Sequence, residues 1–467
     1  MKYLATIGIE CHVQFKTKTK LFCACDNDSR ESKPNTNICP TCFGLPGALP
    51  RVNAEAINYA LRAGAALDCM VAEVISFDRK HYFYPDLPLG YQITQMRQPV
   101  VLTGEITLPK TGTTVAIHHA HLEADAGKNT HPTGADYSLV DLNRASTPLL
   151  EIVSEPDMHT PQEAREYARE LYLRMKYAEV SDVDLFQGNM RFDINVSVAP
   201  EGVSELGTRT ETKNLNSFKS IERAAAYEIS RQTEVLSSGG LITQETRGWD
   251  DAKQKTISQR GKEHAHDYRY MPEPDIPPIT ITTERVKQCT SDLIKPSEIR
   301  EQLRAVGLDT DTIETLIEYP EVVSRVQDLQ GPAVKFASNL FASVWFSQDS
   351  AREFQGSVAQ LQDLYELVAA DKLSSTNAKV VFLAIAKDQT LSVEAFTSSN
   401  NLLQVSDDSA LDGFVAEVLA ENQQAAQDVR AGELKAIGFL VGQVMKKSKG
   451  QANPAKVQEL LRRTLSE

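Results

Sequence analysis

Acidic and imidazole side chains recur in this chain at strand-like spacing. In "TIGIECHVQF" a period of two places Ile7, Ile9, Cys11, Val13 and Phe15 on one face and Gly8, Glu10, His12 and Gln14 on the other. In "HLEADAGK" His121 and Glu123 share a face, and Glu151 stands in "PLLEIVSEPD". In "MRFDINVSV" Arg191, Asp193, Asn195 and Ser197 oppose Phe192, Ile194, Val196 and Val198. Taken singly, Glu10, Glu123, Glu151 and Asp193 are ordinary strand-face acids. Together, carboxylates converging in a cleft repel one another and invite a hard divalent cation, and oxygen ligands with one imidazole suit Mg²⁺ or Mn²⁺ better than zinc. The pattern predicts a magnesium site.

Cys23, Cys25, Cys39 and Cys42 form a second group with spacing C-x-C-x₁₃-C-x₂-C. Two close pairs joined by a polar loop suit tetrahedral thiolate ligation, although the spacing departs from paired C-x₂-C knuckles. Four protein ligands leave no open position, so the expected role is structural Zn²⁺. The alternative is four reduced, unliganded thiols on a loop. Cys69 and Cys289 stand apart and read as inert core thiols, a usage that fits a reducing compartment. Neither a G-x-x-x-x-G-K-[ST] loop nor a G-x-G-x-x-G fingerprint occurs, which argues against P-loop and Rossmann nucleotide sites. A nucleotide on a sheet face would need Mg²⁺ and basic side chains. Arg191, Lys213, Arg247 and Arg269 lie in polar, loop-rich segments as candidates, with surface ion pairing as the competing fate of each.

The elements that must carry these residues give an α+β class. Up to about residue 290 alternating strands dominate, as expected of a mainly antiparallel sheet with one polar face. Helices interrupt it at Pro161–Tyr177, capped by Thr160, and at Ser217–Ser237. Helical periodicity then takes over in "PSEIREQLRAVGL" and "SVAQLQDLYELVAADKL". The polar "SSNNLLQVSDDSA" precedes two or three expected short helices. The expected domains are 1–292 with the cysteine knob, 293–405 all-helical, and a 406–467 helical tail. With 467 residues, 41% hydrophobic and 24% charged, the chain can bury sizeable cores. A formal charge of −14 argues against coating nucleic acid by bulk electrostatics. Only the tail is locally basic, with seven basic residues from Lys435 to Arg463, including Lys446, Lys447 and Lys449, against Glu459. No run of eighteen apolar residues occurs, so the chain reads as soluble and cytoplasmic with no membrane partner.

Several long segments are more specific than any of these patterns. "TIGIECHVQF", "FDRKHYFYPDLPLGYQITQ", "HLEADAGK", "SLVDLNRASTPLLEIVSEPD", "ETKNLNSF", "DYRYMPEPD" and "GFLVGQVMKKSKGQANP" together resemble the B-subunit family of aspartyl/glutamyl-tRNA(Asn/Gln) amidotransferases, from the first strand to the last helix. The resemblance implies a cradle-like catalytic domain akin to glutamine synthetase and guanido kinases, a helical domain, and a tail that contacts tRNA. It implies ATP-dependent phosphorylation of the side-chain carboxylate on mischarged Glu-tRNA(Gln) or Asp-tRNA(Asn), then amination by ammonia. His12, Glu123 and Glu151 would hold Mg²⁺, with Glu10 and Asp193 beside it and available to a second ion. Arg191, Lys213, Asn214, Asn216, Arg247 and Arg269 would bind substrate or ATP, and Lys446, Lys447 and Lys449 would bind tRNA. Lys80 would line the route of ammonia from an amidase subunit, a small third subunit completing a heterotrimeric ligase.

The chain departs from the family's usual pattern at Leu89, commonly lysine, at Ala124, commonly glutamate, and at His81, commonly asparagine. The first two positions are associated with the ammonia passage, so the resemblance implies a more apolar passage here. The four cysteines also vary across the family. Two rival readings draw on fewer residues: a non-catalytic, zinc-dependent RNA-binding module, and a mononuclear iron enzyme using His12, His121 and Glu123 as a facial triad.

Overall fold

Strict apolar–polar alternation in the first strand decides which side of the protein becomes core. The computed structural model describes residues 2–259, 268–347, 353–404, 408–430, 435–448 and 452–466. It divides into two units, Met1–Pro296 and Ser297–Glu467. In the first unit, β1 (Tyr3–Gln14), β2 (Gly104–Thr107), β3 (Thr114–Ala124), β4 (Pro148–Ser154), β5 (Met190–Pro200), β6 (Thr210–Leu215), β7 (Thr246–Asp250) and β8 (Lys255–Ser258) form one eight-stranded sheet. Its order is β8-β7-β6-β5-β1-β4-β3-β2. Every neighbouring pair is antiparallel except β6 with β7.

One face of this sheet is mostly apolar. Ile7, Ile9, Cys11 and Val13 of β1 and Phe192, Ile194 and Val196 of β5 are buried in a core shared with α1 (Ala54–Ala66), α2 (Pro161–Tyr177) and α3 (Phe218–Ser237). Each such side chain, fully removed from water, contributes roughly 1.5–3 kcal/mol. Thr160 caps α2 through a capping box with Glu163 and proline follows in the first turn, as the sequence predicts. The helix expected at Ser217 begins at Phe218, because Ser217 is its N-cap and accepts from the Ser220 amide. With the helices on one face, the other presents its polar residues outward.

The register aligns those residues in rows. His12 lies opposite Arg191 on β5 and Glu151 on β4, and Glu151 lies opposite His121 on β3. Glu10 lies opposite Asp193. A bulge between Ile117 and His119 reverses the alternation of β3, so Val115 and Ile117 are followed into the core by Ala120 and Leu122, while His119, His121 and Glu123 join the polar face. A second irregularity on β6 opposite Phe192–Ile194 is accommodated by Asn214 at φ 66°, a left-handed conformation that asparagine tolerates.

The second unit is helical among its described residues. Val358–Ala369 starts at a capping box of Ser357 and Gln360. Phe341, Phe354 and Phe382 meet with ring centroids 4.7–5.4 Å apart. Toward the end, four helices, Asp408–Glu421, Gln423–Arg430, Lys435–Lys447 and Pro454–Ser466, replace the two or three expected, and Leu411, Leu440, Val457 and Leu461 are among the residues of their separate core. The first two are separated by Asn422 alone, too brief an interruption for periodicity to register. No helix among the described residues is long and apolar enough to cross a membrane.

Candidate metal and phosphate site

The rows of the polar face bring together acids that lie far apart in sequence. His12 Nε2 is 3.4 Å from Glu151 Oε2, and His121 Nε2 lies 3.5 Å from the same oxygen and 3.7 Å from Glu123 Oε2. His12, Glu123 and Glu151 each direct one ligand atom into a group spanning at most 4.8 Å, and Glu10, Asp193 and Glu211 form a second such group beside it. The first is an imidazole–carboxylate set of the kind a hard divalent ion takes. Three carboxylates alone make the second. Both sites fit divalent cations by donor chemistry.

Electrostatics explain why the acids persist there. Burial opposes ionisation of Glu151, but hydrogen bonding and charge attraction from His12, then the fields of His121 and Lys80, outweigh it and hold the carboxyl well below its usual range. Burial likewise disfavours charged His12, yet its bond to Glu151 and the charges of Glu151, Glu123 and Asp193 raise it to about 9. Glu10 is pushed up, first by burial and then by Glu151 and Glu211, so the face is short of positive charge. Lys213 supplies part of it, its Nζ standing 2.6 Å from Asp193 and 2.9 Å from Glu211. Lys80 stays charged: burial opposes it, but Glu123 and other neighbours raise it, and its ammonium lies 4.9 Å from the Tyr268 ring centroid. His119 stacks on His121 at 5.1 Å and is lowered to about 4, by burial first and then by the two adjacent imidazoles.

A cleft of about 620 Å³ opens over this face, lined by His12, Lys80, Glu123, Glu151, Asp193 and Lys213 together with Arg191, Asn214 and Asn216. Arg191 Nη2 reaches Asp125 Oδ2 at 3.3 Å, and Asp125 also receives Arg144 at 3.4 Å. Asp125 and Glu211 are not singled out by sequence pattern. Glu211 had a signal, since it alternates with Lys213 in "TETKNL"; Asp125 follows the end of β3, where strand periodicity says nothing.

Two of the expected phosphate-binding residues lie elsewhere. Arg247 pairs across the sheet with Thr212, whose side chain faces α3, and its Nε is 3.1 Å from the fully buried Glu228 of that helix. It also bonds Glu245 and Thr256, so its guanidinium is committed to the core side. Arg269 is outside the cleft lining, its carbonyl 2.9 Å from His81 Nδ1. In the tail, Lys446 is exposed, whereas Lys447 Nζ is held by Glu417 at 2.8 Å and Glu421 at 2.7 Å. Lys449 lies outside the described residues.

The four cysteines converge. Sγ atoms of Cys25 and Cys42 are 3.9 Å apart, those of Cys39 and Cys42 are 3.8 Å apart, and all four lie within 4.8 Å of one another. Zinc–sulfur bonds of about 2.3 Å make a tetrahedron with edges of about 3.8 Å, so the group fits a tetrathiolate zinc site. The Cys42 thiol is drawn down, chiefly by its hydrogen bond with Cys23 and against burial, with the Cys39 amide and Lys20 assisting. Burial raises Cys69 to about 12 and also raises Cys289, in keeping with inert thiols.

Comparison with known proteins adds an independent line. Residues 5–287 match the GatB/GatE catalytic domain and residues 322–465 the GatB domain. The B subunit of an aspartyl/glutamyl-tRNA(Asn/Gln) amidotransferase from Carboxydothermus hydrogenoformans is 40% identical, over 100% of this chain and 99% of the relative. The similarly named protein of Caldanaerobacter subterraneus subsp. tengcongensis is 43% identical over the whole of both, and that of Brevibacillus brevis 40% identical over 100% and 99%. Similarity of this strength along the whole chain, carried by a sheet that gathers its acids as the motifs require, means that the chain belongs to the family of aspartyl/glutamyl-tRNA(Asn/Gln) amidotransferase B subunits.

Proposed function

We propose that this chain is the carboxylate-activating subunit of a cytoplasmic, glutamine-dependent amidotransferase acting on mischarged Glu-tRNA(Gln), Asp-tRNA(Asn) or both. The observation that carries the reading is the meeting of His12, Glu123 and Glu151 with Glu10, Asp193 and Glu211 on one sheet face under a cleft that also holds Lys80, Arg191 and Lys213. A carboxylate is a poor acyl electrophile, so transfer of the ATP γ-phosphoryl group onto it must precede attack by ammonia, which expels phosphate and leaves an amide. Magnesium held by His12, Glu123 and Glu151 would neutralise phosphoryl charge. Arg191, Lys213, Asn214 and Asn216 border the same space and would bind nucleotide or substrate. Glu10 and Asp193, joined by Glu211, would serve a second ion. A purely RNA-binding module would gain nothing from a buried acid cluster, which repels phosphate.

Within this proposal, residues 1–292 form a cradle akin to glutamine synthetase and guanido kinases, 293–405 a helical domain, and 406–467 the tRNA-binding tail, with exposed Lys446 the better placed of its two described candidate lysines. An amidase subunit would deliver ammonia past Lys80, and a small third subunit would complete the heterotrimer. Reconstitution of the three subunits with ATP, glutamine and each mischarged tRNA tests this. Phosphate release that depends on mischarged tRNA, together with amidated product, is the expected result; absence of such release would sink the proposal.

The altered passage is testable in the same assay. Leu89 and Ala124 line one small cavity of about 50 Å³. Placing a lone carboxylate there in Ala124→Glu strands a buried charge, and we expect a roughly tenfold loss of glutamine-coupled activity. Ala124→Glu combined with Leu89→Lys should recover most of that loss. If the double variant is the worse of the two, the positions are not coupled.

A further inference from the structure

Lys20 is fully buried, and the ligand group of the cleft has no use for it. Its Nζ donates to the Asn37 carbonyl at 3.0 Å and meets Cys42 Sγ at 3.7 Å. Among the described residues no carboxylate pairs with it. A desolvated ammonium is strongly unfavourable unless an anion faces it, and the one anionic candidate within reach is sulfur. Four neutral thiols would not meet that need. Four thiolates around a divalent ion carry a net charge of −2, and that charge needs a cation as much as the ammonium needs an anion.

We infer that Lys20 is the counter-cation of a metal-loaded tetrathiolate centre, acting through Cys42 as a positioning residue for the metal. The inference rests on zinc at Cys23, Cys25, Cys39 and Cys42. Cys42 is the sulfur best equipped for this, since the Cys39 amide also donates to it at 3.2 Å. The main chain ties the pair to the residue that follows β3. Lys20 N donates to Cys25 O at 3.0 Å, Leu21 N to Ser146 O at 2.8 Å, and Ser146 N to Asp125 O at 2.8 Å, and Asp125 is the partner of Arg191 in the cleft. These main-chain bonds link the knob to the edge of the cleft.

The test uses the full chain loaded with Zn²⁺ or, for spectroscopy, Co²⁺. Lys20→Met should still bind one ion but release zinc to a chromophoric chelator about tenfold faster than wild type. Its thiolate-to-cobalt charge-transfer bands should move to lower energy, because removing the nearby positive charge raises the sulfur donor levels. Lys20→Arg should restore both properties, and the exposed Lys18→Met should match wild type. Where Lys20→Met does not accumulate, Lys20→Gln, which can still donate to Asn37, takes its place with the same expectation. Wild-type release rates and band energies in the neutral variants would overturn the role of Lys20 while leaving the zinc reading intact. A wild-type chain that takes up no zinc would overturn both.

Discussion

Glu151→Gln should reduce tRNA-dependent phosphate release by about 10²–10³-fold or more, the largest effect expected of any single substitution in the cleft. Glu151 is the hub of the polar face: it faces His12 on one neighbouring strand and His121 on the other, and it is the main group that holds the proton on His12. The amide is nearly isosteric, so the sheet should survive and the loss should fall on chemistry and ion binding. A Mn²⁺ titration separates these. Ligation requires neutral imidazole, while ion-free His12 holds its proton up to about pH 9, so wild-type affinity should climb with pH and level off near that value. In Glu151→Gln, His12 returns toward its ordinary range and the levelling should occur at correspondingly lower pH, with weaker binding on the plateau. Wild-type Mn²⁺ affinity in the variant would remove Glu151 from the ligand set.

Arg247→Met should leave the KM for ATP unchanged and destabilise the protein instead. The guanidinium faces Glu228, a buried carboxylate that also receives Arg231 at 2.6 Å. Removing one of two cations costs about 3 kcal/mol, the low end for breaking a buried ion pair because Arg231 remains. Thermal unfolding should fall by roughly 3–5 °C, the shift expected of a unit of this size. Burial opposes the charge on Glu228, but Arg231 and the Thr256 and Thr210 hydroxyls outweigh it and hold its pKa low. Its contribution is therefore present above the ordinary carboxylate range and is lost as pH falls through the lowered folded value. The gap between wild type and variant should narrow in acid. A raised KM for ATP with unaltered stability would return Arg247 to the nucleotide site.

Period-two alternation in β1 and β5 was legible in the sequence because the core demands it: one side of each strand had to be buried, so Glu10, His12, Arg191 and Asp193 were bound to share the other. The same holds for the cap of α2, which depends on contacts within four residues. His119 was harder to read, since the bulge at Ile117–His119 resets the alternation within β3 and no local pattern announces it. Arg247 shows the opposite failure. Its neighbours look like a polar loop, yet parallel pairing of β7 with β6 turns it toward α3.

The chemical types of the ligands, the face each strand devotes to them and the identity of the cysteine group were determined by the order of residues alone, because they follow from interactions between near neighbours in the chain. Which acids meet, that Glu211 joins Glu10 and Asp193, that Arg247 is withdrawn to the core, and that Lys20 is sealed against Cys42 were decided only by strand order and register. Those depend on burying many distant apolar side chains at once, a global balance of packing against chain entropy that no local window of sequence contains.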